Sequence, residues 1–157
     1  MKISTRGRYG IRAMVEIAKA TASNPIAIRS ISDTQKISER YLEQLLAPLK
    51  RDGYVLSVRG AAGGYHLGKP ACKITVGDII RTLEGPIAPV DCVNGDENQK
   101  CAFNCQCVTF KVWEKLKIAM EQILDGFSLQ DLLNEETEFS TKEHLIIQSS
   151  QKPLCQN

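Results

Sequence analysis

The fold of this chain follows from one run of residues, Ser38-Glu39-Arg40-Tyr41-Leu42-Glu43-Gln44-Leu45-Leu46-Ala47-Pro48-Leu49. Its leucines recur at the spacing of one face of an α-helix, and Ser38 is a good N-cap. We predict a helix from Glu39 to about Lys50, with a polar face opposite the leucines. Pro48 lacks a backbone donor and should press on the carbonyl of Gln44, so a kink or an early end is expected.

The flanking segments complete a known arrangement. Periodic apolar residues predict helices from Arg8 to Ala20 and from Ile28 to Gln35, and only two residues separate the second helix from the Ser38 cap. Downstream, strand-like segments over 54–58 and 64–67 flank a glycine-rich tip at 59–63. Three helices followed by a β-hairpin predict a winged helix-turn-helix, a mainly α fold with a small β-hairpin wing.

The second half of the chain contains two predicted helices separated by an aperiodic stretch. A fourth helix is predicted from Thr75 to Glu84, opened by a capping box with Asp78 and ended by Gly85-Pro86. An aperiodic stretch follows, then a long amphipathic helix from about Val108 to Leu124 and one more helical turn capped near Ser128. The predicted divisions are a winged helix-turn-helix domain over 1–84, a cysteine-rich loop over 85–107, a dimerisation helix with a short helical turn over 108–134 and a flexible tail over 135–157.

Charge separates along the chain. Residues 1–83 hold fourteen Lys and Arg against six Asp and Glu, a balance of +8, while the remainder holds six against twelve, a balance of −6, which gives the net +2. This asymmetry favours a polyanionic partner for the first half. No apolar run approaches the ~20 residues of a membrane span. Neither a GxSxG motif nor a nucleotide-binding glycine loop is present, so we expect no enzyme.

The predicted polar surface suits double-stranded DNA. The start of the second helix of a helix-turn-helix reads base edges in the major groove, and Arg40, Glu43 and Gln44 match guanine, cytosine and adenine respectively. Arg59 at the wing tip could enter a minor groove, and Arg6 and Arg8 could contact phosphates. The residues predicted to contact DNA are Arg6, Arg8, Ser38, Glu39, Arg40, Tyr41, Glu43, Gln44, Arg59, Gly60 and Tyr65.

The long helix predicts a homodimer, because its apolar stripe near Trp113 and Leu116 is best buried against a symmetry mate. Two wings would then meet a pseudo-palindromic operator whose half-sites lie one helical turn (~34 Å) or a multiple apart.

The predicted loop contains four cysteines with the spacing C-x8-C-x3-C-x-C: Cys92, Cys101, Cys105 and Cys107. The start of the chain lacks the apolar core of a secretory signal, so we expect a reducing, intracellular compartment, where clustered cysteines more often hold metal than form disulfides. An iron–sulfur cluster and a structural zinc ion both remain open, although zinc sites usually show paired C-x2-4-C knuckles.

Several motifs resemble a known family. Residues 1–10 (MKISTRGRYG), Tyr41-Leu42-Glu43-Gln44-Leu45, residues 57–67 (SVRGAAGGYHL) and Cys107-Val108-Thr109 leading into Val112-Trp113 look like the iron–sulfur cluster regulator (IscR) superfamily. This group of bacterial winged-helix transcription factors also includes nitric-oxide-sensing repressors (NsrR) and cysteine-metabolism repressors (CymR). The likeness covers about residues 1–133 and implies a cytoplasmic, homodimeric transcription regulator.

The resemblance also implies a ligand set. Cys92, Cys101 and Cys107 match the three cysteine ligands of the family. Phe110 stands where the iron–sulfur regulator has its ligating histidine, and the region around Arg6 lacks the acidic ligand of the nitric-oxide-sensing branch. Cys105 is the natural substitute, and the four thiolates would hold a [2Fe–2S] cluster in preference to a [4Fe–4S] cluster. Operator binding controlled by this cluster is the function expected.

Two alternatives stay open. Residues 2–5, Ala47-Pro48-Leu49 and residues 83–90 are especially similar to the cysteine-metabolism repressors, which work without a cluster by binding a cysteine-biosynthesis enzyme. Members of that branch lack the loop cysteines of this chain. The second alternative is a winged-helix protein with a structural zinc ion.

Overall fold

The computed structural model describes residues 3–60, 62–94 and 107–138, and within them no helix is long and apolar enough to cross a membrane. In chain order the elements are α1 (Thr5–Ala18), α2 (Ile28–Gln35), α3 (Glu39–Arg51), β1 (Val55–Val58), β2 (Gly64–Leu67), α4 (Val76–Glu84) and α5 (Phe110–Asp125), with 3-10 turns at Ala71–Lys73 and Asp91–Val93. Residues 129–138 form a further helix. The predicted fold class, mainly α with a two-stranded wing, is confirmed.

The helix-turn-helix forms as its sequence predicts. Lys36 takes the left-handed conformation (φ 56°, ψ 42°) that ends α2, and the Ser38 hydroxyl accepts a hydrogen bond from the Tyr41 amide at 3.4 Å. The leucines of α3 are all buried: Leu42, Leu45, Leu46 and Leu49. Of the two effects expected at Pro48, a kink or an early end, the early end is wrong, because α3 continues to Arg51. Gln44 lies on the exposed side, where water can satisfy the carbonyl that the proline leaves unbonded.

The wing packs against the body through one extra pairing. β1 and β2 run antiparallel with Val55 opposite Leu67 and Val58 opposite Gly64. Ile26 and Tyr65 then exchange two backbone hydrogen bonds of 2.9 and 2.8 Å. Only glycine fits at position 64, because a Cβ there would meet the backbone of Ile26. The base of the wing is therefore held beside the segment before α2.

The first helix begins at Thr5, three residues before the predicted start at Arg8, and it ends at Ala18. Ser4 supplies the N-cap, and its hydroxyl accepts hydrogen bonds from the amides of Arg6 and Gly7 at 3.0 and 3.4 Å. α1 lies close to α4, since a Cβ on Gly10 would collide with Leu83. This close packing places the two ends of the winged domain side by side.

The fourth helix links the winged domain to α5. The capping box of Thr75 and Asp78 is confirmed. At the far end of α5, Asp125 accepts two hydrogen bonds from the Arg81 guanidinium at 2.8 and 2.6 Å. A second apolar cluster of Val76, Ile80 and Ile87 packs with Met120 and Leu124 of α5 and with Ile3. The start of α1 thus lies against both α4 and α5.

The helix after α5 is longer than the single turn predicted at Ser128. Ser128 and Asp131 cap it through bonds of 2.8 and 3.2 Å, and the Leu129 amide donates to the Ile74 carbonyl at 2.9 Å. Leu129 is fully buried, so packing on the winged domain stabilises the segment. The helix extends to residue 138. The first four residues of the flexible tail predicted over 135–157 are therefore helical. Residues 139–157 lie outside the described ranges.

Candidate DNA-binding surface and cysteine loop

The polar face of α3 is open to solvent. Ser38, Glu39, Arg40, Glu43 and Gln44 are exposed, while the leucines behind them are buried. Tyr41 is half-buried, and its ring meets Tyr9 of α1 edge-on with centroids 6.2 Å apart. The fold therefore presents the polar side chains on a rigid helix, which is the geometry needed to read base edges.

The wing presents its predicted arginine at the tip. Arg59 and Gly60 are exposed, and Gly60 has φ 118°, a conformation that favours glycine. The Gly63 amide donates to the Gly60 carbonyl at 2.9 Å and closes the turn. Tyr65 differs from these two exposed residues, because, like Tyr41, it is half-buried and packs against the hydrophobic core.

Arg6 and Arg8 lie in the first turn of α1 and are exposed. Together with the polar face of α3 and the wing tip, they make up what we call the candidate DNA-binding surface: Arg6, Arg8, Ser38, Glu39, Arg40, Tyr41, Glu43, Gln44, Arg59, Gly60 and Tyr65.

A polar network behind this surface was not predicted. Arg12 donates to the side chain and the carbonyl of Gln35 at 2.7 and 2.8 Å, and Gln35 donates to buried Glu16 at 2.6 Å. Lys19 bridges Glu16 and Glu136 at 3.3 and 2.7 Å. Since Gln35 is the last residue of α2, the network fixes the entry to the helix-turn-helix. No local pattern signals it, because its members come from three helices.

The electrostatics of the network favour the charged form of Lys19. Partial burial lowers the pKa of Lys19, but hydrogen bonds to Glu136 and Glu16 outweigh it and raise the pKa above its usual 10.5. Lys19 is therefore an ammonium at neutral pH, and it offsets the cost of keeping the Glu16 carboxylate away from water.

Two of the four loop cysteines lie within the described residues. Cys92 and Cys107 are half-buried, and Cys101 and Cys105 fall outside. The Cys107 sulfur lies 3.2 Å from the Thr109 hydroxyl, and hydrogen bonds from Thr109 and Phe110 lower the pKa of the Cys107 thiol. Thiolate is the form that ligates metal, so this donor fits a metal or cluster site. Over 3–60, 62–94 and 107–138, no group of three or more His, Cys, Asp or Glu is placed to hold a metal ion.

The long helix α5 keeps an uncovered apolar face. Val112 is 57% exposed, Leu116 42% and Ile123 62%, which is unusual for large apolar side chains in succession. A cavity of about 330 Å³ opens beside Leu116 and Ile123, lined also by Ile3 and Pro89. This face is apolar enough to take a symmetric partner helix.

Comparison with known proteins identifies the family. The model of the Rrf2 family, described as an iron-dependent transcriptional regulator, matches residues 3–135. The CymR transcriptional regulator of Bacillus subtilis (strain 168) is 46% identical over 132 residues, which cover 84% of this chain and 89% of CymR.

Solved structures agree. The structure of CymR, titled the global cysteine regulator of B. subtilis, superposes with a TM-score of 0.71 at 43% identity, covering 86% of this chain and 98% of CymR. The T. potens IscR structure gives a TM-score of 0.69, also at 43% identity, covering 87% and 88%. The chain therefore belongs to the Rrf2 family of DNA-binding transcriptional regulators.

Proposed function

We propose that this chain is a homodimeric repressor of cysteine-related genes. The observation that carries the proposal is its 46% identity to the B. subtilis regulator over 84% of this chain and 89% of that regulator. The dimer would form through α5, and each protomer would read one half-site with α3 and the Arg59 wing. A cysteine-biosynthesis enzyme is the proposed protein partner. This assignment replaces cluster control as the leading hypothesis for how the chain is regulated.

The experiment combines selection and titration. Purified protein is used to select fragments from genomic DNA, and a cysteine-biosynthesis enzyme is then added to the selected complex. We expect fragments from upstream of sulfur-supply genes and at least a several-fold change in operator affinity with the enzyme. An unrelated enzyme serves as the control. Fragments without any link to sulfur supply would contradict this proposal.

A second candidate is control by an iron–sulfur cluster, and the four loop cysteines favour it. Cys92, Cys101, Cys105 and Cys107 would hold the cluster, and the thiolate-stabilising contacts of Cys107 support a metal-binding role there. The similarity to the T. potens IscR structure also supports cluster control. A bound cluster would supply sensitivity to oxidation, and a zinc ion would instead supply only structural support.

Metal analysis decides between the candidates. Protein purified without oxygen is assayed for iron, sulfide and zinc and examined by visible absorption. Stoichiometric iron and sulfide with visible bands, lost in a Cys92→Ser variant, would favour the cluster. Colourless protein without metal, even after anaerobic reconstitution, would leave the cluster-free cysteine regulator. A Cys72→Ser variant is the matched control, because Cys72 is an exposed cysteine outside the loop.

A further inference from the structure

The first turn of α1 has an unusual composition for the start of a helix. It contains no acidic residue, whereas Arg6 and Arg8 place positive charge at the positive end of the helix dipole. Gly7 adds the conformational freedom that glycine retains when unfolded. By itself, this turn should be marginal, yet α1 begins at Thr5.

Glu84 supplies the missing negative charge from the other end of the domain. Its Oε1 accepts from the Ser4 amide at 3.2 Å, from the Ser4 hydroxyl at 2.8 Å and from the Gly7 amide at 2.9 Å. We call this arrangement the Glu84 cap. A Cβ on Gly7 would collide with the same carboxylate, so glycine at position 7 is what admits it.

The cap also joins two regions of the molecule. Glu84 is the last residue of α4 and directly precedes the segment 85–107, which the sequence predicts as a cysteine-rich loop. Ile3, at the other side of the cap, packs with Ile87 of that loop and with Met120 and Leu124 of α5. The turn that carries Arg6 and Arg8 is therefore held by the loop and α5 side of the molecule.

We propose that Glu84 is a positioning residue for DNA binding: the Glu84 cap fixes the first turn of α1 so that Arg6 and Arg8 meet the phosphate backbone. The inference rests on the proposed DNA-binding mode of this turn. It predicts a change in DNA affinity opposite to the one that charge alone would give. Removing a carboxylate near a polyanion should strengthen binding by relieving repulsion. Loss of the cap should instead weaken it, because the two arginines are no longer pre-ordered.

The test measures affinity for mixed-sequence duplex DNA against salt, since phosphate contacts do not depend on sequence. For Glu84→Ala we expect affinity about five- to tenfold lower and a salt slope smaller by about 1–2, roughly one for each phosphate that an arginine no longer neutralises. Glu135→Ala is the control, because it removes an exposed carboxylate of the 129–138 helix and changes net charge equally. It should bind as tightly as wild type, or slightly tighter.

Gly7→Ala is the second variant, and it decides the matter if Glu84→Ala does not fold. Its Cβ displaces the carboxylate without any change in charge, so the same fall in slope is expected. In an Arg6→Ala, Arg8→Ala background, Glu84→Ala should add no further loss. Unchanged slopes, or an additive loss in that background, would overturn the inference alone. Wild-type protein that binds no duplex DNA would overturn the proposed function and this inference together.

Discussion

Gln44 stands at the centre of the polar face of α3, exposed and flanked by Glu43. A glutamine amide can pair with the N6 and N7 positions of adenine, which is worth about 1–3 kcal/mol of discrimination. We predict that Gln44→Ala relaxes the preference at one base pair of each half-site by that amount and leaves the other positions unchanged. Affinities for a set of single-substitution operators measure this.

The matched control for Gln44 is Lys50→Ala, an exposed residue at the other end of α3. The Lys50 variant should keep the preference at every base pair, because a residue that does not read bases carries no sequence information. A Gln44→Ala variant that also keeps every preference would contradict a base-reading role.

Leu45 tests the other side of the same helix. It is fully buried in the core formed by α1, α3 and β1. Leu45→Ala removes buried methyl groups and leaves a cavity, so we expect a loss of about 2–5 kcal/mol in the free energy of unfolding. Urea denaturation measures it, and exposed Gln44→Ala should change stability by less than about 0.5 kcal/mol. Equal losses in the two variants would show that the helix is oriented differently.

Between elements, the Arg81–Asp125 pair joins α4 to α5. Hydrogen bonds from Arg81 hold the pKa of Asp125 below its usual 3.8, so the pair stabilises the fold above pH 3.8 and loses its contribution as pH falls through the lowered pKa. The Asp125 side chain is 42% exposed, so solvent screening limits the contribution to about 0.5–1 kcal/mol. We predict that Asp125→Asn is less stable than wild type at neutral pH and equally stable at strongly acid pH.

Urea denaturation across this pH range checks the prediction for Asp125. Asp33→Asn, an exposed carboxylate of α2, is the control and should match wild type at neutral pH. A difference between Asp125→Asn and wild type that persists unchanged in acid would exclude the ion pair as its source.

The exposed stripe of α5 makes a prediction about assembly. Leu116→Glu places a charge in the middle of the apolar face, and burying an unpaired carboxylate costs several kcal/mol. We expect a folded monomer in sedimentation experiments, with DNA affinity at least tenfold lower because two half-sites are no longer linked. Lys115→Glu is the control, because it introduces the same residue at an exposed neighbouring position. A Leu116→Glu dimer would show that another face joins the protomers.

Elements set by local patterns could be predicted from the sequence, and those set by distant contacts could not. Leucine spacing and the Ser38 cap determine α3, and glycines determine the wing tip. The first turn of α1 also bonds to Glu84, eighty positions away from Ser4, and no local pattern reveals that contact. The length of the 129–138 helix depends on Leu129, which packs in the core and bonds to Ile74.

The candidate site divides in the same way. The amphipathic pattern of α3 predicts that its polar face is exposed. The position of Arg59 at a hairpin tip likewise predicts that this arginine is exposed. Tyr65 is different, because alternation within a short strand did not reveal that its ring packs inward. The Arg12–Gln35–Glu16 network joins separate helices, and no sequence spacing predicts such a contact.

For the whole molecule, the charge division matches the architecture. The basic stretch 1–83 includes α1, α2, α3, the wing and most of α4, and the acidic remainder includes α5 and the 129–138 helix. We therefore expect DNA to approach the winged side of the proposed dimer, while α5 stays away from the phosphates. Family membership, the open polar face of α3 and the wing tip all converge on one claim, that this protein reads specific DNA with α3 and Arg59.

Selection of genomic fragments by the purified protein, followed by footprinting, tests that claim most directly. We predict one recurring pseudo-palindrome, with protected half-sites one helical turn (~34 Å) or a multiple apart. A folded Gln44→Ala, Arg59→Ala variant should protect this pseudo-palindrome more weakly and should lose the preference at the base pair of each half-site that Gln44 reads. Recovery of fragments with no common sequence by the wild-type protein, or an unchanged footprint in the variant, would contradict the account.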